Sequence, residues 1–254
     1  MEEDKKAGNQ FEGKDVYVKD VFNDIAPYYD KMNDIMSVGM IKRWHKFMFK
    51  KAGDITGFSV LDVGTGTGEL AFISARKVGP GGRVTGLDIT PAMLEMAKQK
   101  VGDLDLPTEV EFVIGDALDM EFGDDLFDLV TSGYMLRNVT DIQKAVNEMY
   151  RVLKPGGLAV VAELAKPRNR VIQWGHKVYL NRVVPFWGRK YDKGKVIDGK
   201  QPAYDWLTSS LEGFPYGPEM LGIFRNAGFT DAECYVRSMG AVNIYVVRKP
   251  GKAQ

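Results

Sequence analysis

Residues 58–69 read Phe-Ser-Val-Leu-Asp-Val-Gly-Thr-Gly-Thr-Gly-Glu, an apolar run of strand length that ends in three glycines alternating with threonines. Only glycine takes positive φ, or lets a ligand approach the backbone closely, without steric penalty. A buried strand that runs through such a turn into a helix belongs to a parallel sheet with crossover helices, provided the rhythm continues.

It continues for a hundred residues. Glu69 to Lys77 reads as a helix halted at Gly79-Pro80-Gly81-Gly82, and Arg83 to Leu87 as a second strand. Thr90 can cap the next helix, with Pro91 at its first position and Met93, Leu94, Ala97 and Val101 on one face. Val110 to Ile114 and Leu126 to Thr131 are the third and fourth strands. Asp141 can cap a helix carrying Ile142, Ala145, Val146, Met149 and Val152, and Lys154-Pro155-Gly156-Gly157 turns into a fifth strand, Leu158 to Glu163. Near the end, a helix over Pro218 to Ala227 precedes two strands, Phe229 to Arg237 and Ala241 to Arg248, which read as a hairpin closing the sheet.

The expectation is an α/β chain of one domain, 1–254. It divides into a helical N-terminal cap (15–52), a cofactor-binding core (58–163), an inserted basic lid (166–215) and a C-terminal helix and hairpin (216–248).

Composition narrows the chemistry. One cysteine, Cys234, excludes an intrachain disulfide framework, and two distant histidines, His45 and His176, argue against a metal centre, so none is expected. No apolar run approaches the roughly 18 residues of a membrane span, and the first residues, MEEDKKAGNQ, are charged. A cytoplasmic protein is expected. Its zero net charge hides an asymmetry: residues 101–136 hold ten Asp/Glu and no Lys/Arg, residues 166–200 ten Lys/Arg and two Asp. At helical spacing, Ile172, His176, Tyr179, Leu180, Val183 and Trp187 share an apolar side, so this stretch reads either as a lid helix or as a peripheral membrane contact at the inner face.

The glycine turn departs from the dinucleotide fingerprint, whose third glycine would fall at Glu69 rather than at Gly68. Asp88, ending the second strand, suits the two hydroxyls of a ribose, and Asp116-Ala117 at the end of the third suits an adenine. Asp116 alone would read as a turn cap. Three strand ends therefore converge on a nucleoside.

The runs VLDVGTGTGEL, GLDITPAML, GDA and RVLKPGG resemble the class I S-adenosylmethionine-dependent methyltransferases, whose seven-stranded Rossmann-like sheet ends in an antiparallel hairpin. Beyond that core, Val21 to Ser37 with Trp44, then Leu136-Arg137-Asn138-Val139, and Ala203-Tyr204 to Ser210 with Phe214-Pro215 are similar to the ubiquinone/menaquinone biosynthesis C-methyltransferases. The resemblance implies transfer of a methyl group from S-adenosyl-L-methionine to a ring carbon of a polyprenyl hydroquinone. Asp62, Gly64, Thr65, Gly66, Thr67, Gly68, Asp88, Ile89, Met93, Asp116, Ala117 and Gly133 are the residues expected at the donor. Arg137, Asn138 and Tyr29 are those expected at the chemistry: Arg137 as a fixed cation beside a phenol oxygen, Asn138 at the other ring oxygen, Tyr29 in a segment closing over the donor. Where the family usually reads Ser-Phe-Gly, this chain has Gly133-Tyr134-Met135, and Met135 adds bulk near the expected acceptor.

Another small phenolic, sterol or lipid acceptor remains open, as do a non-catalytic nucleoside-binding subunit and a homodimer. Nucleic acid is not an expected partner, since the basic run carries no recognised RNA module. His45, among charges on Lys42 to Lys50, reads as a surface residue, Cys234 as a buried hydrophobe, and Arg137 without a function as a surface partner of Asp141.

Overall fold

The computed structural model describes residues 14–167, 169–187, 196–197, 201–202, 209–211 and 213–252. Seven strands form one sheet: β1 (Ser59–Val63), β2 (Arg83–Asp88), β3 (Val110–Ile114), β4 (Phe127–Gly133), β5 (Leu153–Leu164), β6 (Thr230–Arg237) and β7 (Val242–Arg248). Their order is β3-β2-β1-β4-β5-β7-β6. The first five are parallel, and β7 runs antiparallel between β5 and β6. Strand order reverses between β1 and β4, which opens a crevice beyond their C-terminal ends.

Helices cover both faces, as strands apolar on both sides require. On one face α3 (Ile41–Ala52), α4 (Glu69–Val78) and α5 (Pro91–Gly102) enclose a core with Met48, Phe72, Leu129 and Ile244; on the other, α6 (Ile142–Val152) and α8 (Pro218–Asn226) enclose Leu61, Val130, Met149 and Phe224. A third apolar cluster joins α1 (Lys14–Ile25) and α2 (Tyr29–Met36) to Met93 and Val184, holding the N-terminal helices against α5.

Local chemistry sets most boundaries. Asp141 caps α6, its carboxylate accepting from the Lys144 amide at 2.9 Å. Thr90 precedes α5 without a side-chain cap; its amide donates to Asp88 instead. The expected Lys154-Pro155-Gly156-Gly157 turn lies inside β5 as a wide irregularity, with Phe127 opposite Leu153 and Leu129 opposite Leu158. Gly156 accommodates it at φ +83°.

Three expectations need correction. His45 is 5% exposed, because it shares one stripe of α3 with Trp44, Met48 and Phe49, and the surrounding lysines occupy the opposite side. Cys234 is half-buried against the second core rather than sealed inside it. The third concerns α7 (Arg170–Val178), which continues through a π turn over Tyr179–Val183. Ile172, His176, Tyr179 and Leu180 are half-buried as expected, but the wider turn rotates the residues after it. Val184 is therefore buried, while Val183 and Trp187 stay exposed. Most of the stretch from Ala203 to Ser210 lies outside the described residues, as do 188–195 of the basic run.

Candidate active site

Two cavities meet at the crevice. The first, about 780 Å³, is lined by Gly64 and Gly66 after β1, Asp88 and Ile89 after β2, Gly115, Asp116 and Ala117 after β3, and Gly133 at the end of β4, with Tyr29, Met93 and Asn138. Asp62, Thr65, Thr67 and Gly68, expected beside the ligand, are not in this lining. They build the loop that presents it. Asp62 is buried and accepts from the Thr65 and Thr131 hydroxyls at 2.7 Å each, tying the loop to β4. Burial raises its pKa to about 6, against the pull of those two hydrogen bonds.

Gly64 and Gly66 stand at φ +70° and +54°. A Cβ on Gly64 would meet Met135 Cγ at 2.4 Å, so glycine there is dictated by contact as well as by backbone. The same contact places Met135 over the glycine loop and in the first cavity, not beside the second as expected. Asp88 accepts from the Gly66 amide at 2.8 Å and the Thr90 amide at 2.9 Å, and burial is the largest influence on its raised pKa. Asp116 both caps its turn, accepting from the Leu118 amide at 2.9 Å, and lines the cavity.

The second cavity, about 1080 Å³, is largely apolar. Met36, Val38, Met40, Ile41 and Trp44 line it from the N-terminal side, and His176, Tyr179, Leu180 and Val184 from α7 and its extension. Its polar focus is Arg137, which is 6% exposed and donates through Nη1 to the Tyr134 carbonyl at 2.6 Å and to Glu163 at 3.3 Å. Glu163 also accepts from the Leu136 amide at 2.6 Å. The surface pairing with Asp141 is replaced by a buried one. Burial is the main influence raising the Glu163 pKa, and the Arg137 charge opposes it. Asn138, expected on the acceptor with Arg137, lines the first cavity instead, because the turn after β4 sends consecutive side chains to opposite sides.

Tyr29 and Tyr134 line both cavities and so form the wall between them. Tyr134 has φ +61°, a conformation that costs a bulky residue about 1–3 kcal/mol. Next to Tyr29, Asp30 accepts from the Thr67 hydroxyl at 2.5 Å and pairs with Lys100. This clasp fastens α2 over the glycine loop. Its charges were visible in the sequence, but not their meeting.

The model of the ubiE/COQ5 methyltransferase family matches residues 10–249. The chain belongs to that family. A demethylmenaquinone methyltransferase of Symbiobacterium thermophilum is 36% identical over 94% of each chain. A ubiquinone/menaquinone biosynthesis C-methyltransferase of Cellvibrio japonicus is 35% identical over 92% of this chain and 91% of that one. Among solved structures, a SAM-dependent methyltransferase from Aquifex aeolicus shares the fold at TM-score 0.58 and 19% identity, covering 87% of this methyltransferase and 97% of that chain. The phosphoethanolamine N-methyltransferase 2 of Haemonchus contortus, in complex with S-adenosyl-L-methionine, does so at TM-score 0.58 and 20% identity, covering 82% and 52%.

The methyltransferase site suits a nucleoside sulfonium. The glycines of the first cavity leave room for close approach of a ligand, and Asp88 and Asp116 stand at the ends of β2 and β3 in its lining. Among the described residues no cluster of His, Cys, Asp and Glu is placed to hold a metal.

Proposed function

We propose that this methyltransferase carries the methyl group of S-adenosyl-L-methionine to a ring carbon of a polyprenyl hydroquinone of the demethylmenaquinol type. The observation that carries the reading is the pair of cavities sharing Tyr29 and Tyr134, one lined by the glycine loop and by Asp88 and Asp116, the other apolar with a buried cation. The first matches the donor, the second a flat aromatic head with a hydrocarbon tail. The curated relatives' names supply the acceptor class.

S-adenosyl-L-methionine, when bound, supplies an electrophilic methyl carbon on a sulfonium. The chain has to align the acceptor ring behind that carbon and raise its electron density. Asp88, Asp116 and the Gly64 and Gly66 backbone hold the donor from one side, and the Asp30 clasp closes over it from the other. Arg137 lowers the pKa of a phenol, whose proton passes to water; the phenolate charge spreads to the neighbouring ring carbon, which takes the methyl as the donor's C–S bond breaks to leave a neutral thioether. The proton on that carbon passes to water as the ring regains aromaticity. Arginine stays protonated at any relevant pH, so Arg137 acts by charge and Glu163 fixes its direction.

The acceptor's tail bears on location. None of the described helices is long and apolar enough to cross a membrane. The helix whose inner side lines the acceptor cavity turns Val171, Trp174 and Phe186 outward, each 70% or more exposed, beside Arg170, Lys177 and Arg182. Val38 and Met239, each 76% exposed, cap turns at the cavity's edge. We read this face as a peripheral contact with anionic lipid, through which a quinol head enters while its tail stays in the bilayer. Co-sedimentation with anionic vesicles should fall at least fivefold in a Val171→Ser/Trp174→Ser variant of unchanged melting temperature; equal sedimentation would refute the contact. For the acceptor, short-chain demethylmenaquinol and the corresponding benzoquinol compete in one reaction. Preferential methylation of the naphthoquinol supports the reading, and methylation of neither overturns it.

A further inference from the structure

Tyr134 occupies the wall between the cavities, and its hydroxyl has no part in the methyl transfer described for Arg137 and Glu163. The ring is held edge-on to Trp44 at 6.2 Å and tilted against His45 at 6.4 Å. Its phenolic oxygen is buried and has no hydrogen-bond partner among the described residues. A buried hydroxyl in that state has given up water without compensation, and such groups are rare enough to ask what satisfies them. Its left-handed backbone adds a second cost at the same residue.

The neighbours limit the answer. Glu163, Arg137 and Tyr29 are the groups whose charges the hydroxyl senses. Glu163 already accepts from the Leu136 amide and from Arg137. His45 stays neutral, its pKa lowered by burial to about 4. Tyr134 and Arg137 line the same cavity, so a ligand oxygen held between them would meet a cation already oriented by Glu163 and give the hydroxyl its partner.

We propose that the Tyr134 hydroxyl donates a hydrogen bond to a ring oxygen of the acceptor, making it a specificity-determining residue that selects aromatic acceptors with an oxygen at that position. Burial holds the phenol pKa above its ordinary value, so the group remains a donor through the working pH range. The inference rests on the second cavity being the acceptor site. It also gives a use to the single oxygen by which Tyr134 differs from the phenylalanine of the family's Ser-Phe-Gly pattern.

Tyr134→Phe removes that oxygen and keeps the ring. Donor affinity by calorimetry, acceptor affinity by quenching of tryptophan fluorescence, steady-state turnover and melting temperature are measured on both full-length proteins. The acceptors are the hydroquinone and two monohydroxy analogues, each lacking one ring oxygen. The variant should bind and turn over the hydroquinone about tenfold less well, as loss of one hydrogen bond of about 1.4 kcal/mol dictates. It should match wild type on one monohydroxy analogue, bind the donor normally, and melt no lower. Hydroquinone affinity and kcat/KM within twofold of wild type would overturn the proposal, as would parallel losses in donor affinity and melting temperature, which mark a structural role. If wild type binds none of the acceptors, the acceptor-site reading fails first and takes this inference with it; normal wild-type turnover with an unaltered variant refutes Tyr134 alone.

Discussion

Replacing Arg137 by methionine separates catalysis from folding. Arg137 and Glu163 are 5% and 0% exposed in their side chains, so the substitution leaves a carboxylate sealed in the core with the backbone amides of positions 136 and 137 to satisfy it and no countercharge. Breaking a buried pair from one side costs about 3–5 kcal/mol. At about 2–4 °C per kcal/mol for a chain of this size, the melting temperature should fall by about 6–20 °C. Adding Glu163→Gln removes the buried charge and keeps an oxygen for the Leu136 amide, so the double variant should recover most of that loss. Turnover should not recover. Both variants should lie at least a hundredfold below wild type in kcat while donor affinity, measured by calorimetry on the double variant, stays within a fewfold. A double variant that is stable and active would show that Arg137 serves only to neutralise Glu163. A single variant as stable as wild type would refute the buried-pair reasoning itself.

Three further outcomes concern the donor side. Asp62 has its folded pKa raised from 3.8 to about 6, so the folded state holds its proton more tightly than the unfolded one, and stability from this group grows as pH falls through 6. Between pH 8 and pH 5 wild type should gain about 1.4 kcal/mol that Asp62→Asn lacks, measured by urea titration; parallel curves for the two proteins would show that Asp62 titrates normally. Asp88→Ala leaves the Gly66 and Thr90 amides without their acceptor and should weaken donor binding about tenfold to a hundredfold, and unchanged calorimetric affinity would mean the ribose lies elsewhere. Asp30→Ala opens the clasp to Thr67 and Lys100. Because Asp30 is 41% exposed, the effect should be near 1 kcal/mol, about fivefold in donor Kd, and a rise in the donor dissociation rate in stopped flow should account for it.

Signals confined to a few consecutive residues were legible beforehand. Strands β1 to β4, the Asp141 cap, the glycine loop and the acids at the ends of β2 and β3 all depend on spacing within one element, and each lies where the pattern put it. What was not legible depends on residues far apart in the chain. Glu163 comes 26 positions after Arg137 and Asp30 precedes Thr67 by 37, so neither pairing leaves a local trace. The π turn after Val178 shifted the helical phase and exchanged Val183 for Val184. Asn138 parted from Arg137 because a turn, not a helix or strand, carries them. His45 was recoverable: its spacing to Trp44, Met48 and Phe49 marks the buried stripe of α3, and the lysines around it drew attention to the other side.

The central claim is that a reduced aromatic ring is the carbon nucleophile. The direct test is turnover with methyl-labelled S-adenosyl-L-methionine and a short-chain demethylmenaquinol, alongside the oxidised quinone, with mass spectrometry locating the label. The account expects label on a ring carbon with the reduced acceptor and none with the quinone. Label on oxygen, or equal transfer to both redox forms, would contradict it.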